Sequence, residues 1–373
     1  MKKILLLSFS FLITQIGLSQ QFERLDQKVE IICYTSGINE GTRILHQDHK
    51  HDLDQFSALR SESTNQTDSA QFEVTYIGFT EEAKAAFQRA VDIWSSYLSS
   101  DVVIKVQANW RSFDEEGVLG SAIWGTAFRG FEGALNNDTW YPSALAEKMA
   151  GRDLNDPNDP DIVANFNRNA DWYLGTDGQP AGNEFDLVTT VLHELGHGLG
   201  FIDSYNVNED NQQGSVGVQG FPFTFDLRVE NNEANTLTNL ANFPDSLGDA
   251  LTSDAIFFNS PTSISNNNGE KPKLFAPREW NRGSSIAHLD ESTYPAGDPN
   301  SLMSPQVGSN EVVQEPGQIT LDMFGDMGWE YTFIENIDRP NSDDFNADNY
   351  TVTPSIRSDA GYRPETVKLF YST

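Results

Sequence analysis

Apolar and polar residues alternate along FEVTYIGF, residues 72–79: Phe72, Val74 and Tyr76 face one way, Glu73 and Thr75 the other. That is the period of a half-buried strand. The period then lengthens. Ala83, Phe87, Ala90, Trp94 and Leu98 recur at helical spacing behind Thr80, a good capping residue, so a helix is expected from Glu81 to about Leu98. Alternation returns in VVIKVQANW, with Val102, Ile104, Val106 and Ala108 on one side. Strand, helix and strand in that order predict a crossover unit. IVANFNR and DWYLGT read as further short strands. From Asn183 a second helical pattern runs to about Gly198 and Gly200, with Asp186 as a capping partner. Val188, Val191, Leu192 and Leu195 form its apolar face; Thr190, His193, Glu194 and His197 share the polar one, which would hold the two histidines at the edge of a cleft. ITLDMFGDMGW, residues 319–329, predicts a last helix stopped at Gly328.

Between these elements the pattern fades. Residues 20–70 are polar and without a period apart from EIICYTS, and read as a pro-segment or flexible N-terminal extension. Residues 204–285 form a long irregular region. After Trp329, NYTVTPSIRSD and ETVKLFYST are strand-like. Residues 334–373 are therefore expected to start a β-sandwich-like domain or form a C-terminal strand extension, with the catalytic domain at 71–333. At the other end Lys2 and Lys3 precede an apolar run, Ile4 to Ile13, too short to cross a bilayer. Residues 1–19 are expected to be a removable signal peptide, which implies a secreted or cell-surface protein. Cys33 is the one cysteine, so no internal disulfide forms.

Composition narrows the partners. A formal net charge of −31 repels nucleic acid and anionic lipid, and no later stretch is apolar and long enough to span a membrane. With 24 Phe and 7 Trp the chain can build a sizeable core as a globular monomer. The same acidity suits structural Ca2+. DLNDPNDPDI offers Asp153, Asp156, Asp159 and Asp161, although their spacing matches no EF-hand and a solvated loop is the simpler reading.

The chemistry concentrates in TVLHELGHGLGFIDS, residues 190–204. On a helix His193 and His197 lie one turn apart and roughly 40° apart around the axis, so both rings can reach one ion. Zinc suits imidazole nitrogen, and its catalytic sites take three protein ligands and a water. Glu194, beside the first ligand, can act as general base. Two residues compete for the third bond. Asp203 can be turned back toward the metal by Gly200, and His288, in SSIAHLDESTYPAGDPNSLMSP, is the preferred candidate as a third neutral imidazole. If His288 ligates, Asp203 can orient a ligand ring instead.

H-E-L-G-H-G-L-G, residues 193–200, resembles the metzincin signature up to its glycine, and Leu302-Met303-Ser304-Pro305 resembles the metzincin Met-turn. The layout is most similar to leishmanolysin-like peptidases, where the third histidine follows a long insertion. Over Phe72 to Trp329 the resemblance implies His193, His197 and His288 as zinc ligands, Glu194 as catalytic base and Met303 as an apolar floor. It implies an α+β, metzincin-like zincin fold with a twisted sheet, a central active-site helix and an irregular C-terminal subdomain. The expected activity is a secreted zinc-dependent endopeptidase acting on polypeptide. The alternative is a catalytically retired scaffold serving in surface binding or adhesion. In some metzincins a thiolate ahead of the catalytic domain silences the proenzyme. Cys33 is placed for that role or for an ordinary buried thiol, and Tyr294 for oxyanion stabilisation.

Overall fold

The computed structural model describes residues 22–26, 31–38, 43–45, 69–335 and 355–358, which mix helices and strands in an α+β arrangement. Its main sheet holds β1 (Ile31–Ile38), β2 (Phe72–Ile77), β3 (Ile104–Arg111), β4 (Val118–Trp124), β5 (Ile162–Asn167) and β6 (Gln306–Ser309). Their spatial order is β6-β1-β4-β5-β3-β2. β2, β3 and β5 run parallel to one another, β4 runs antiparallel to both β5 and β1, and β1 and β6 are parallel.

The expected crossover is present. β2 leads through α1 (Glu81–Tyr97) to its parallel neighbour β3. Thr80 caps α1 by accepting from the Ala83 amide at 3.2 Å. The apolar stripe of α1, including Phe87 and Trp94, is fully buried. Truncating one such aromatic typically costs about 3–5 kcal/mol. Trp94 Nε1 donates to Leu192 O at 2.9 Å and so ties α1 to the central helix α3 (Leu187–Leu199). Between them in sequence lies α2 (Ser143–Ala150).

Helix α3 differs from its sequence pattern in two ways. It begins at Leu187 instead of Asn183, because Phe185 and Asp186 pair with Trp172 and Tyr173 as a short parallel ladder. Asp186 thereby becomes the N-cap itself, accepting from Thr189 N at 2.9 Å and Thr189 Oγ1 at 2.7 Å. All thirteen residues of α3 are buried, including the four expected on a polar face at the edge of a cleft.

Order also begins earlier than the sequence pattern suggests. β1 sits inside the main sheet, Glu23–Leu25 pairs with Ala127–Arg129, and Arg43–Ile44 pairs with Val312–Val313. Residues 20–70 therefore contribute strands to the domain that was expected to start at 71. Local pattern could not reveal this, since the partner strands lie far off in the chain. The signal peptide expected at residues 1–19 lies outside the described residues.

The irregular region carries α4 (Pro244–Leu251) and α5 (Pro261–Asn266), and its Phe225, Leu237, Leu247, Ile256 and Phe258 join the main core. After α6 (Gln318–Met327), β7 (Glu330–Glu335) pairs with Leu98–Ser99 and with β8 (Ser355–Ser358). The C-terminal extension thus starts as a strand joined to the body of the protein, while ETVKLFYST lies outside the described residues. Among the described residues no helix is long and apolar enough to cross a membrane.

Candidate metal centre

Three fully buried imidazoles meet at one point. Nε2 of His197 lies 3.0 Å from Nε2 of His193 and 3.2 Å from Nε2 of His288. The first two rings come from adjacent turns of α3 and the third from a loop 91 residues beyond His197. Each ring is oriented by a backbone carbonyl. His193 Nδ1 donates to Leu302 O at 2.7 Å, His197 Nδ1 to Phe201 O at 2.7 Å and His288 Nδ1 to Ser284 O at 2.8 Å.

A carbonyl can only accept, so all three protons sit on Nδ1 and every Nε2 presents a bare lone pair. Burial reinforces neutrality: it pushes His193 down to about 4 and His288 to about 3, and drives His197 well below its ordinary value, with the neighbouring rings adding to the last two. Three lone pairs at this separation repel one another and cannot hydrogen-bond. They fit a cation. Tetrahedral zinc with nitrogen donors at about 2.0–2.1 Å would hold them roughly 3.3–3.4 Å apart. This donor set, with its carbonyl supports, could hold such an ion.

The chain around the rings is shaped to make this arrangement. Gly200 ends α3 with φ +130°, a conformation that L side chains rarely adopt, and the turn carries the Phe201 carbonyl back to His197. Gly196 leaves room for Met303, since a methyl group added there would lie 2.7 Å from Met303 Sδ. Met303 is fully buried in the one-turn helix Ser301–Met303. That turn serves two of the rings: Leu302 O holds His193, and Met303 O accepts from the amide of Leu289, next to His288, at 2.8 Å.

Glu194 lies on the sheet side of the rings. A methyl group on Gly120 of β4 would come within 3.0 Å of its Oε1, so the glycine makes space for this carboxylate. Cys33 of β1 is there too: its Sγ, a ring nitrogen of His193 and a carboxylate oxygen of Glu194 lie within 4.8 Å of one another. Burial raises the Cys33 thiol well above its ordinary value, and the Glu194 charge adds to this.

The other sequence candidates lie elsewhere. Asp203 is outside the group of convergent ligand atoms. One of its oxygens accepts from Tyr205 N at 2.6 Å, and burial followed by the nearby Asp226 charge raises it well above the usual carboxylate range. The Tyr294 hydroxyl accepts from Lys273 N at 3.4 Å. The four aspartates suggested for calcium do not converge. Asp153 pairs with Lys105, Asp159 with Arg24, Asp156 accepts from Asn158 N, and Asp161 is buried under Lys105 N and Asn155 Nδ2.

Comparison with known proteins gives one family: the SPBPB7E8-like profile matches residues 23–217, just over half the chain. The chain belongs to the SPBPB7E8-like family. The match takes in β1, β4, His193, Glu194 and His197, and ends before His288 and Met303. No curated protein and no solved structure matches the chain. Sequence reasoning alone passed over Gly120 and the three orienting carbonyls. A glycine inside a strand is a detectable sign of close approach, whereas a carbonyl occurs in every residue and signals nothing.

Proposed function

We propose that this chain is a secreted, metzincin-type zinc endopeptidase in which His193, His197 and His288 hold the metal, Glu194 is the general base and Met303 floors the site. The observation that carries this reading is the convergence of three bare Nε2 lone pairs, those of His193 and His288 lying within 3.2 Å of that of His197, with Glu194 adjoining them in sequence and space. A zinc ion held there would supply Lewis-acid polarisation of a water and of the scissile carbonyl. Glu194 takes the proton that the attacking water gives up as the new C–O bond forms, and passes it to the amine nitrogen as the C–N bond breaks. The leader at residues 1–19 supports export.

The test uses purified protein. It should contain one zinc per chain and cut unfolded casein, and Glu194→Ala should keep the zinc and lose the cutting. Full activity in that variant would remove the assigned base. Absence of both zinc and cutting would favour the retired scaffold.

A further inference from the structure

We infer that the cavity between the segment following α3 and the loop ahead of His288 binds a small zwitterion, an amino acid or dipeptide, with Asp203 receiving its ammonium and Arg282 its carboxylate. This goes beyond the endopeptidase reading and does not depend on it.

The cavity measures about 360 Å³, and its lining comes mainly from residues 203–218 and 280–285. None of His193, Glu194, His197 and His288 lines it. Its size is at the small end for ligand pockets and suits one or two residues of peptide.

Two charged side chains of opposite sign line this one space, and neither is matched. Asp203 is only 5% exposed. One of its oxygens accepts from Tyr205 N at 2.6 Å, and no other residue among those described donates to the carboxylate. Burial, and then the Asp226 charge, hold it well above the usual carboxylate range, so what this position lacks is a cation. Arg282 carries one and is exposed, yet among the described residues it forms no ion pair, with Asp203 or with any other acid. Opposite charges that share a cavity without meeting stand too far apart for direct contact. A simple ion would match one of them and be repelled by the other. A ligand that spans both must carry both signs. An extended dipeptide holds its ends about 7 Å apart, and each end would gain charge-assisted hydrogen bonds.

The rest of the cavity agrees with such a ligand. Trp280, Tyr205 and Val218 give it an apolar wall for a side chain. The Asp203 end is braced before any ligand arrives. Ser204 Oγ donates to Asp226 and accepts from Gly217 N at 2.9 Å, while the Tyr205 hydroxyl donates to Asp226 O at 3.0 Å. A preorganised acid at one end leaves only the long Arg282 side chain to be ordered on binding.

The experiment is calorimetric titration of the full chain carrying Glu194→Ala, so that the probe is not consumed. The probes are glycyl-leucine, its N-acetyl derivative and its C-terminal amide. Glycyl-leucine should bind, and removing either end charge should weaken it at least tenfold. Arg282→Gln should weaken glycyl-leucine as much as amidation does and leave the amide no worse; Asp203→Asn should stand in the same relation to acetylation. If the acetylated probe binds as well as the parent peptide, the cavity takes a carboxylate alone; if the amide does, it takes a cation alone. Either result overturns the proposal, and so does the absence of binding at millimolar concentration. A peptide can also chelate a metal through its ends, so the titration is repeated on protein stripped of zinc. Unchanged affinity is expected there, and affinity lost with the metal places the peptide on the histidines and overturns the proposal. Arg282→Gln, at an exposed position, keeps the test decisive should Asp203→Asn fail to fold.

Discussion

His193 Nδ1 donates to the carbonyl of Leu302 at 2.7 Å, joining the central helix to a turn 109 residues later. This bond fixes the tautomer of the first ring and places the neighbouring Met303 against Gly196. The turn after His288 is therefore part of the machinery that aims His193, and damage there should be felt at the helix.

Gly196→Ala tests that contact. Its new methyl would lie 2.7 Å from Met303 Sδ and 3.1 Å from Cε, so the thioether must move. Overpacking of this kind costs typically about 1–3 kcal/mol, and Met303→Ala alone should cost about 2–5 kcal/mol as a cavity. The combination should be less destabilised than the sum of the two, since each change relieves the other. Urea unfolding of the three variants checks this, and strict additivity would mean that the two residues do not share one space.

Metal content separates the candidate third ligands. His288→Ala removes one of three convergent nitrogens and should lose most of the zinc, while Asp203→Asn, which keeps an oxygen for Tyr205 N, should retain it. Stripping zinc with a chelator should lower the melting temperature of the parent protein, because the three lone pairs are then left facing one another. Zinc lost only from the Asp203 variant would refute this ligand set.

What could be read from the sequence follows the range of each interaction. His193, Glu194 and His197 lie within five residues on one helix, and their spacing alone brings them together. The α1 stripe and the alternation in β2 and β3 were equally local. His288, 91 residues beyond His197, could be preferred only through its ring chemistry and the company of Met303. β4 escaped notice because all seven of its residues are buried, which erases alternation. β1 was legible as the strand-like stretch EIICYTS, but its place in the main sheet was not, because its partners are Val118–Ala122 and Gln306–Ser309, far away in the chain. The same long-range placement explains why a helix with a polar face turned out to be buried all round.

The pH dependence of stability should show a buried carboxyl pair, Glu147 and Asp161, apart from the three-histidine cluster. Burial, followed by the Asp161 charge, raises Glu147 from 4.5 to about 8, and burial raises Asp161 to about 6. Between its ordinary value and about 8, folded Glu147 keeps a proton that the unfolded chain has released. Stability therefore falls as pH rises through that window, by at most about 1.4 kcal/mol per pH unit for one group. Below the ordinary value both states are protonated and the penalty is absent. Glu147→Gln keeps an oxygen for the Leu154 and Asn155 amides and removes the titration. It should be more stable than the parent at pH 8 by thermal unfolding, with the gap shrinking toward pH 4. Parallel pH profiles for the two proteins would contradict the assignment.

Gly120→Ala should separate chemistry from metal binding. The added methyl would stand 3.0 Å from Glu194 Oε1 and 3.2 Å from Asn165 O. The carboxylate ends a flexible side chain, whereas Asn165 O belongs to the backbone of β5, so Glu194 yields first. The rings keep their bonds to Leu302, Phe201 and Ser284, none of which involves β4. Zinc content should stay at the parent level. A displacement of order 1 Å in a proton-transferring group can cost about a hundredfold in rate, so kcat for casein should fall by tens of fold with KM little changed. Loss of zinc from this variant would show that β4 supports the rings as well, and an undiminished kcat would show that the position of Glu194 does not limit the reaction.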